Sequence, residues 1–131
     1  MKTTPVVAPD DLSASVIAVP PLCRRADLSL DREENARLIA HLRAGGIRTL
    51  LYGGNANLYN VRFTEYAALL QMLEQISAAG TAVIPSVGPA YGLMMDQADL
   101  LKSTSFPTVM VLPTKAIMTE AGLMTGFRRF V

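Results

Sequence analysis

Four times along this chain a short apolar run is followed by a longer stretch whose apolar residues recur at helical spacing. The repeat is about 30 residues, the length of one βαβ unit. Strands joined in this way through helices are expected to lie parallel in one sheet, each connection a right-handed crossover. The fold class read from the pattern is therefore α/β, with four parallel strands each followed by a helix.

The strands are read at Ser15 to Val19, Ile47 to Tyr52, Ala82 to Pro85 and Thr108 to Leu112. Proline, which has no amide hydrogen for a ladder, is taken to close the first at Pro20-Pro21 and the fourth at Pro113. Asp31, with Glu34 three residues on, reads as the start of the first helix, whose apolar stripe is Leu38, Ile39 and Leu42 and whose stop is Gly45-Gly46. The second helix covers roughly Thr64 to Ala79, with Tyr66, Leu69, Leu70, Leu73 and Ile76 on one face. The third runs from about Tyr91 to Ser103, burying Leu93, Met94, Ala98 and Leu101, and the last from near Thr119 through Phe127 and Phe130. Residues 1–14 read as a flexible extension and 15–131 as one domain.

Size and charge narrow the partners. A chain of 131 residues that is 50% hydrophobic forms one domain with a substantial core. With 12 Lys and Arg against 11 Asp and Glu, its net charge of +1 offers no footprint for nucleic acid or an anionic membrane surface. Cys23 is the single cysteine, which excludes an internal disulfide and fits a reducing compartment, the cytoplasm. Val6 and Val7 are too short a run for a secretory leader, and no apolar run reaches the length of a membrane span.

In parallel α/β folds the ligand lies at the carboxyl ends of the strands. Here those ends are Pro20-Pro21, Gly53-Gly54-Asn55, Ser86-Val87-Gly88 and Pro113-Thr114-Lys115. The glycines tolerate positive φ, which leaves the amides of Gly54 and Asn55 free to meet a carboxylate or phosphate. A glycine pair is also ordinary punctuation between strand and loop. A dinucleotide or nucleotide cradle is disfavoured, since neither G-x-G-x-x-G nor a Walker pattern is present.

Tyr52 and Tyr59 flank the glycines and suit either substrate contact or packing, and Tyr91 is open to the same two readings. Lys115 becomes a nucleophile only if desolvation lowers its pKa; otherwise it is a solvated loop lysine. His41 has no second histidine or carboxylate at ligand spacing and reads as a surface residue, so no metal site is assigned. Cys23 lacks a histidine or acid partner to activate it.

Val16-Ile17-Ala18-Val19-Pro20-Pro21, the Asp27 to Asp31 segment, Ala44-Gly45-Gly46, Gly53 to Leu58, Val83 to Gly88 and Val111-Leu112-Pro113 resemble, in that order, the first half of the dihydrodipicolinate synthase and N-acetylneuraminate lyase family. The resemblance implies a parallel (β/α)4 half of a TIM (β/α)8 barrel. It implies a lyase or synthase that forms a Schiff base between a lysine and a pyruvate-like 2-keto acid, with no cofactor. By that family's order Gly53, Gly54 and Asn55 bind the substrate carboxylate, and Asn57, Tyr52, Ser86 and Lys115 are further pocket positions. Gly54 and Asn55 replace two hydroxyl residues, Ala56 and Asn57 replace Gly-Glu, and Thr114 and Lys115 replace a tyrosine pair. The proton-relay tyrosine and the Schiff-base lysine belong to strands five and six, so no catalytic residue is assigned within this chain. The expectation is the N-terminal half of a longer lyase-like protein, or a shortened paralogue. The alternative is a non-catalytic module for carboxylate binding or oligomerisation. Four strands of a barrel leave two open edges and an uncovered inner face, which predicts a homo-oligomer.

Overall fold

A computed structural model describes residues 7–14, 16–113 and 118–131. The elements follow in the order α1 (Pro9–Ala14), β1 (Ile17–Ala18), α2 (Arg32–Ala44), β2 (Thr49–Tyr52), α3 (Phe63–Ile76), β3 (Ala82–Val87), α4 (Tyr91–Leu101), β4 (Met110–Val111) and α5 (Glu120–Phe130). The sheet order is β1-β2-β3-β4 and every pairing is parallel. The alternation in the sequence is thus realised as a (β/α)4 unit, each strand lying beside the one before it.

Local chemistry accounts for the helix ends. The Asp31 carboxylate accepts from the Glu34 amide at 3.0 Å and caps α2. Glu34 does not reach back to complete the box; it pairs with Arg37, and the Asp31 amide donates instead to the Cys23 carbonyl at 3.1 Å. Thr119 caps α5 through the Gly122 amide at 3.1 Å. Residues 9–14, placed by the sequence in a flexible extension, form the short helix α1, which opens where the Asp11 carboxylate accepts from the Ala8 amide at 2.8 Å.

Alternate strand residues point to opposite faces of a sheet. Leu50, Tyr52 and Val83 join Ile39, Tyr66, Leu69, Leu70 and Leu73 in one buried cluster between the sheet and the helices α2 and α3. Thr49, Ala82, Ile84 and Ser86 take the opposite face, and all four are buried within this single chain. The uncovered inner face expected from the sequence is therefore largely shielded at the two central strands. Apolar exposure falls instead at the sheet edges, on Val16 and Met110, and along α5, on Met124 and Phe127.

β3 runs two residues beyond its expected end at Pro85. Its pairing with β2 finishes at Tyr52↔Pro85, and its pairing with β4 begins at Ser86↔Met110. The missing amide hydrogen thus falls where the strand changes partner, so proline does not end it here.

The loop between β1 and α2 is held by a residue the apolar pattern passes over. Asn35 is fully buried. Its amide donates to the carbonyls of Cys23 (2.9 Å) and Asp31 (2.6 Å), and its Oδ1 accepts from the Cys23 N–H at 3.2 Å. Asn35→Ala would leave the Cys23 N–H without its acceptor, since the Cys23 and Asp31 carbonyls keep main-chain donors, and an unmet buried donor costs about 1–3 kcal/mol. Urea denaturation is expected to show a loss of roughly 2 kcal/mol or more, and an unchanged midpoint would contradict the clamp.

Candidate functional site

Gly53 stands where strand ends meet. A Cβ built on it would lie 3.3 Å from Ser86 Oγ, 3.6 Å from Leu51 Cγ and 3.7 Å from Met110 Sδ. Residues of β2, β3 and β4 are thus within van der Waals reach of one another at this point. Beyond Gly53 the chain makes two single 3-10 turns, Gly54–Ala56 and Leu58–Asn60, hinged on Asn57 at φ 62°. The Gly53 carbonyl accepts from Ala56 N–H (3.0 Å) and Leu58 N–H (3.4 Å), and the Gly54 carbonyl from Asn57 N–H (3.0 Å). The amides of Gly54 and Asn55 head the first turn, so no carbonyl behind them within it accepts their hydrogens. A Cβ on Gly54 would stand 2.8 Å from the ring of the half-exposed Tyr59, which would have to shift to admit it.

Of the positions singled out by the sequence, Gly53, Gly54, Asn55 and Ser86 are brought together. Ser86 is almost wholly buried and its hydroxyl has no hydrogen-bond partner among the described residues, while its carbonyl accepts from the Tyr66 hydroxyl at 2.9 Å. Tyr52 goes elsewhere. Its ring lies in the helix-facing cluster, with no exposed surface, and its hydroxyl too is without a partner among the described residues. Burial, with Cys23 close by, pushes the phenol well above its usual range, so it stays protonated. The strand alternation that puts Leu51 beside Gly53 necessarily turns Tyr52 away from it. The exposed Asn57 faces a separate cleft with Arg62 and Glu65. Lys115, with Thr114, lies outside the described residues.

Sequence reasoning missed Gln97. It is buried on α4, its Oε1 accepts from the Gly88 N–H at 2.8 Å, and it ties the exit of β3 to the helix that follows. Gly88 has φ 107°, and a Cβ there would meet the Leu112 carbonyl oxygen at 2.6 Å, so only glycine fits. The signal was present: Met94, Gln97 and Leu101 share one helical face, and a polar residue on such a face is there to be satisfied.

Among the described residues no three His, Cys, Asp or Glu side chains gather closely enough to hold a metal ion. None of the described helices is long and apolar enough to cross a membrane.

A buried hydroxyl with no partner costs stability in proportion to its lost hydration. Ser86→Ala and Tyr52→Phe are each expected to raise the stability of this chain by about 1 kcal/mol in urea denaturation. A loss of that size in either variant would show that the hydroxyl is partnered.

No protein-family model and no curated protein matches this chain. Solved structures do. The dihydrodipicolinate synthase of Bacillus anthracis superposes with a TM-score of 0.78 at 16% identity, over 88% of this chain and 41% of that one. A prophage protein of the dihydrodipicolinic acid synthase family from E. coli K12, solved in complex with pyruvate, gives 0.77 at 20% identity, over 89% and 41%. The 2-keto 3-deoxygluconate aldolase of Picrophilus torridus gives 0.77 at 12% identity, over 88% and 43%. This chain spans about two-fifths of the length of the structures it matches. In fold, the four parallel strands and their helices match one half of the TIM barrel of dihydrodipicolinate synthase-family structures, as the order of its motifs led one to expect.

Proposed function

We propose that the turn from Gly53 to Asn55 holds the carboxylate of a pyruvate-like 2-keto acid, as the anion-binding half of a Schiff-base lyase or synthase site. The observation that carries this reading is the pair of Gly54 and Asn55 amides heading a tight turn beside the junction of β2, β3 and β4. Two main-chain donors suit a carboxylate, which presents two oxygens and accepts charge-assisted bonds. Each such bond contributes roughly 1.5–3 kcal/mol. Two of them, about 3–6 kcal/mol, correspond to binding between a few millimolar and tens of micromolar, to order of magnitude.

The Schiff base itself needs a lysine that the family's order assigns to strand six, so the covalent step is assigned to barrel units other than these four. No cofactor enters this reading. Because β1 and β4 each pair on one side only, we place the chain in a homo-oligomer or against the remaining strands of a barrel, in the cytoplasm. The alternative is a non-catalytic carboxylate-binding or oligomerisation module. It draws on one feature: Gly54 and Asn55 stand where the family carries hydroxyl residues, so anion binding survives where proton relay does not.

Pyruvate titrated into the nitrogen-15-labelled chain is expected to shift the amide resonances of Gly54 and Asn55 first. Borohydride reduction in its presence should leave the mass of this chain unchanged. An adduct at Lys115 would contradict the assignment of the lysine to another unit, and undisturbed Gly54 and Asn55 amides would contradict the carboxylate site.

A further inference from the structure

A cleft of about 630 Å3 opens between the β1–α2 loop and the β2–α3 loop, lined in part by Arg24, Asp27, Leu28, Asn57, Asn60 and Arg62. Two observations mark it. Leu28 (φ 68°) and Asn57 (φ 62°) are the non-glycine residues with positive φ among the described residues, and both line this cleft. A leucine in that conformation is strained by roughly 1–2 kcal/mol. Core packing does not recover that energy, because Leu28 is 71% exposed. The surroundings impose the conformation. Arg24 donates to the Leu28 carbonyl and is itself fixed by two 2.8 Å bonds to Glu65, while the Leu28 amide closes onto the Arg25 carbonyl at 2.9 Å.

The second observation is the state of the polar groups. Arg24 and Glu65 neutralise each other, and the Arg24 guanidinium holds the Glu65 carboxyl below its ordinary range. The Asp27 carboxylate, bonded by the amide and hydroxyl of Ser29, is held low as well and stays ionised. The exposed Arg62 guanidinium makes no hydrogen bond or salt bridge among the described residues. The carboxamides of Asn57 and Asn60 share one 3.3 Å bond, which leaves an NH2 group and a carbonyl oxygen for something else. Among the described residues the cleft thus presents one cation with no hydrogen bond or salt bridge, Arg62, which acts on Glu65 only through space, together with neutral donors and acceptors and a fixed anion at Asp27 that repels a dianion more strongly than a monoanion.

We propose that this cleft binds a small hydroxylated monocarboxylate, its carboxylate on Arg62 and its hydroxyl groups on Asn57 and Asn60, at a site separate from the Gly53 turn. The Arg62 guanidinium, with no hydrogen bond or salt bridge among the described residues, matches one carboxylate, and the carboxamides, which both donate and accept, match hydroxyls. Leu22 and Leu28 supply an apolar rim for the carbon skeleton. The proposal does not depend on the reading of the Gly53 turn.

L-Glycerate titrated into the full chain and followed by calorimetry is the test. Saturable binding is expected, weakened at least tenfold by Arg62→Gln and at least threefold by Asn60→Ala, with inorganic phosphate binding more weakly than glycerate. Both side chains are exposed, so both variants are expected to keep the fold, checked by unchanged circular dichroism. Pyruvate-induced shifts at the Gly54 and Asn55 amides should be the same in Arg62→Gln as in the parent chain, which separates failure of this site from failure of the other. No saturable glycerate binding, equal binding by Arg62→Gln, or tighter binding of phosphate would each overturn the proposal.

Discussion

The structure depends on the parallel pairing of β2 with β3. Thr49 to Tyr52 lie against Ala82 to Pro85 in four matched positions, whereas β1 and β4 each contribute two. That central ladder fixes which residues face the helices and which face the other way, because a shift of one residue would exchange the two sets. It puts Leu50, Tyr52 and Val83 against the inner faces of α2 and α3. It also leaves Gly53 and Ser86 as neighbours just beyond the last matched pair.

From that register the site follows with little further specification. A strand that ends in glycine can turn at once, and the 3-10 turn of Gly54–Ala56 then leaves its leading amides without internal acceptors. The Tyr59 ring lies against Gly54. On the neighbouring side Arg24 and Glu65 tie the β1–α2 loop to the first turn of α3, with Leu28 in an unfavoured conformation at the mouth of a polar cleft. The Gly53 turn thus offers main-chain donors, while the cleft beside it is lined by side chains.

Much of this was legible in the amino-acid order. The alternation of apolar runs and helical stripes implied the parallel sheet, Asp31 marked the start of α2, and Thr119 that of α5. The third strand was read two residues short at Pro85, which sits where the strand changes partner and removes a bond the ladder does not need. Tyr52 was read beside the glycines from its place in the chain, yet a period of two sends adjacent strand residues to opposite faces. Asn35 and Gln97 went unnoticed because apolar periodicity carries no information about polar residues that satisfy buried main chain. The cleft at Leu28 was invisible for another reason: it depends on a contact between Arg24 and Glu65, 41 residues apart.

The most direct test of the account is a set of proton–proton distances from nuclear Overhauser spectroscopy. The parallel register predicts contacts between the Gly53 α-protons and the Ser86 β-protons, and between Gly53 and the Met110 methyl group. It also predicts no close pairs of α-protons between β2 and β3, since such pairs belong to antiparallel ladders. A strong α-proton contact between those strands, or silence between Gly53 and Ser86, would contradict the fold and the site built on it.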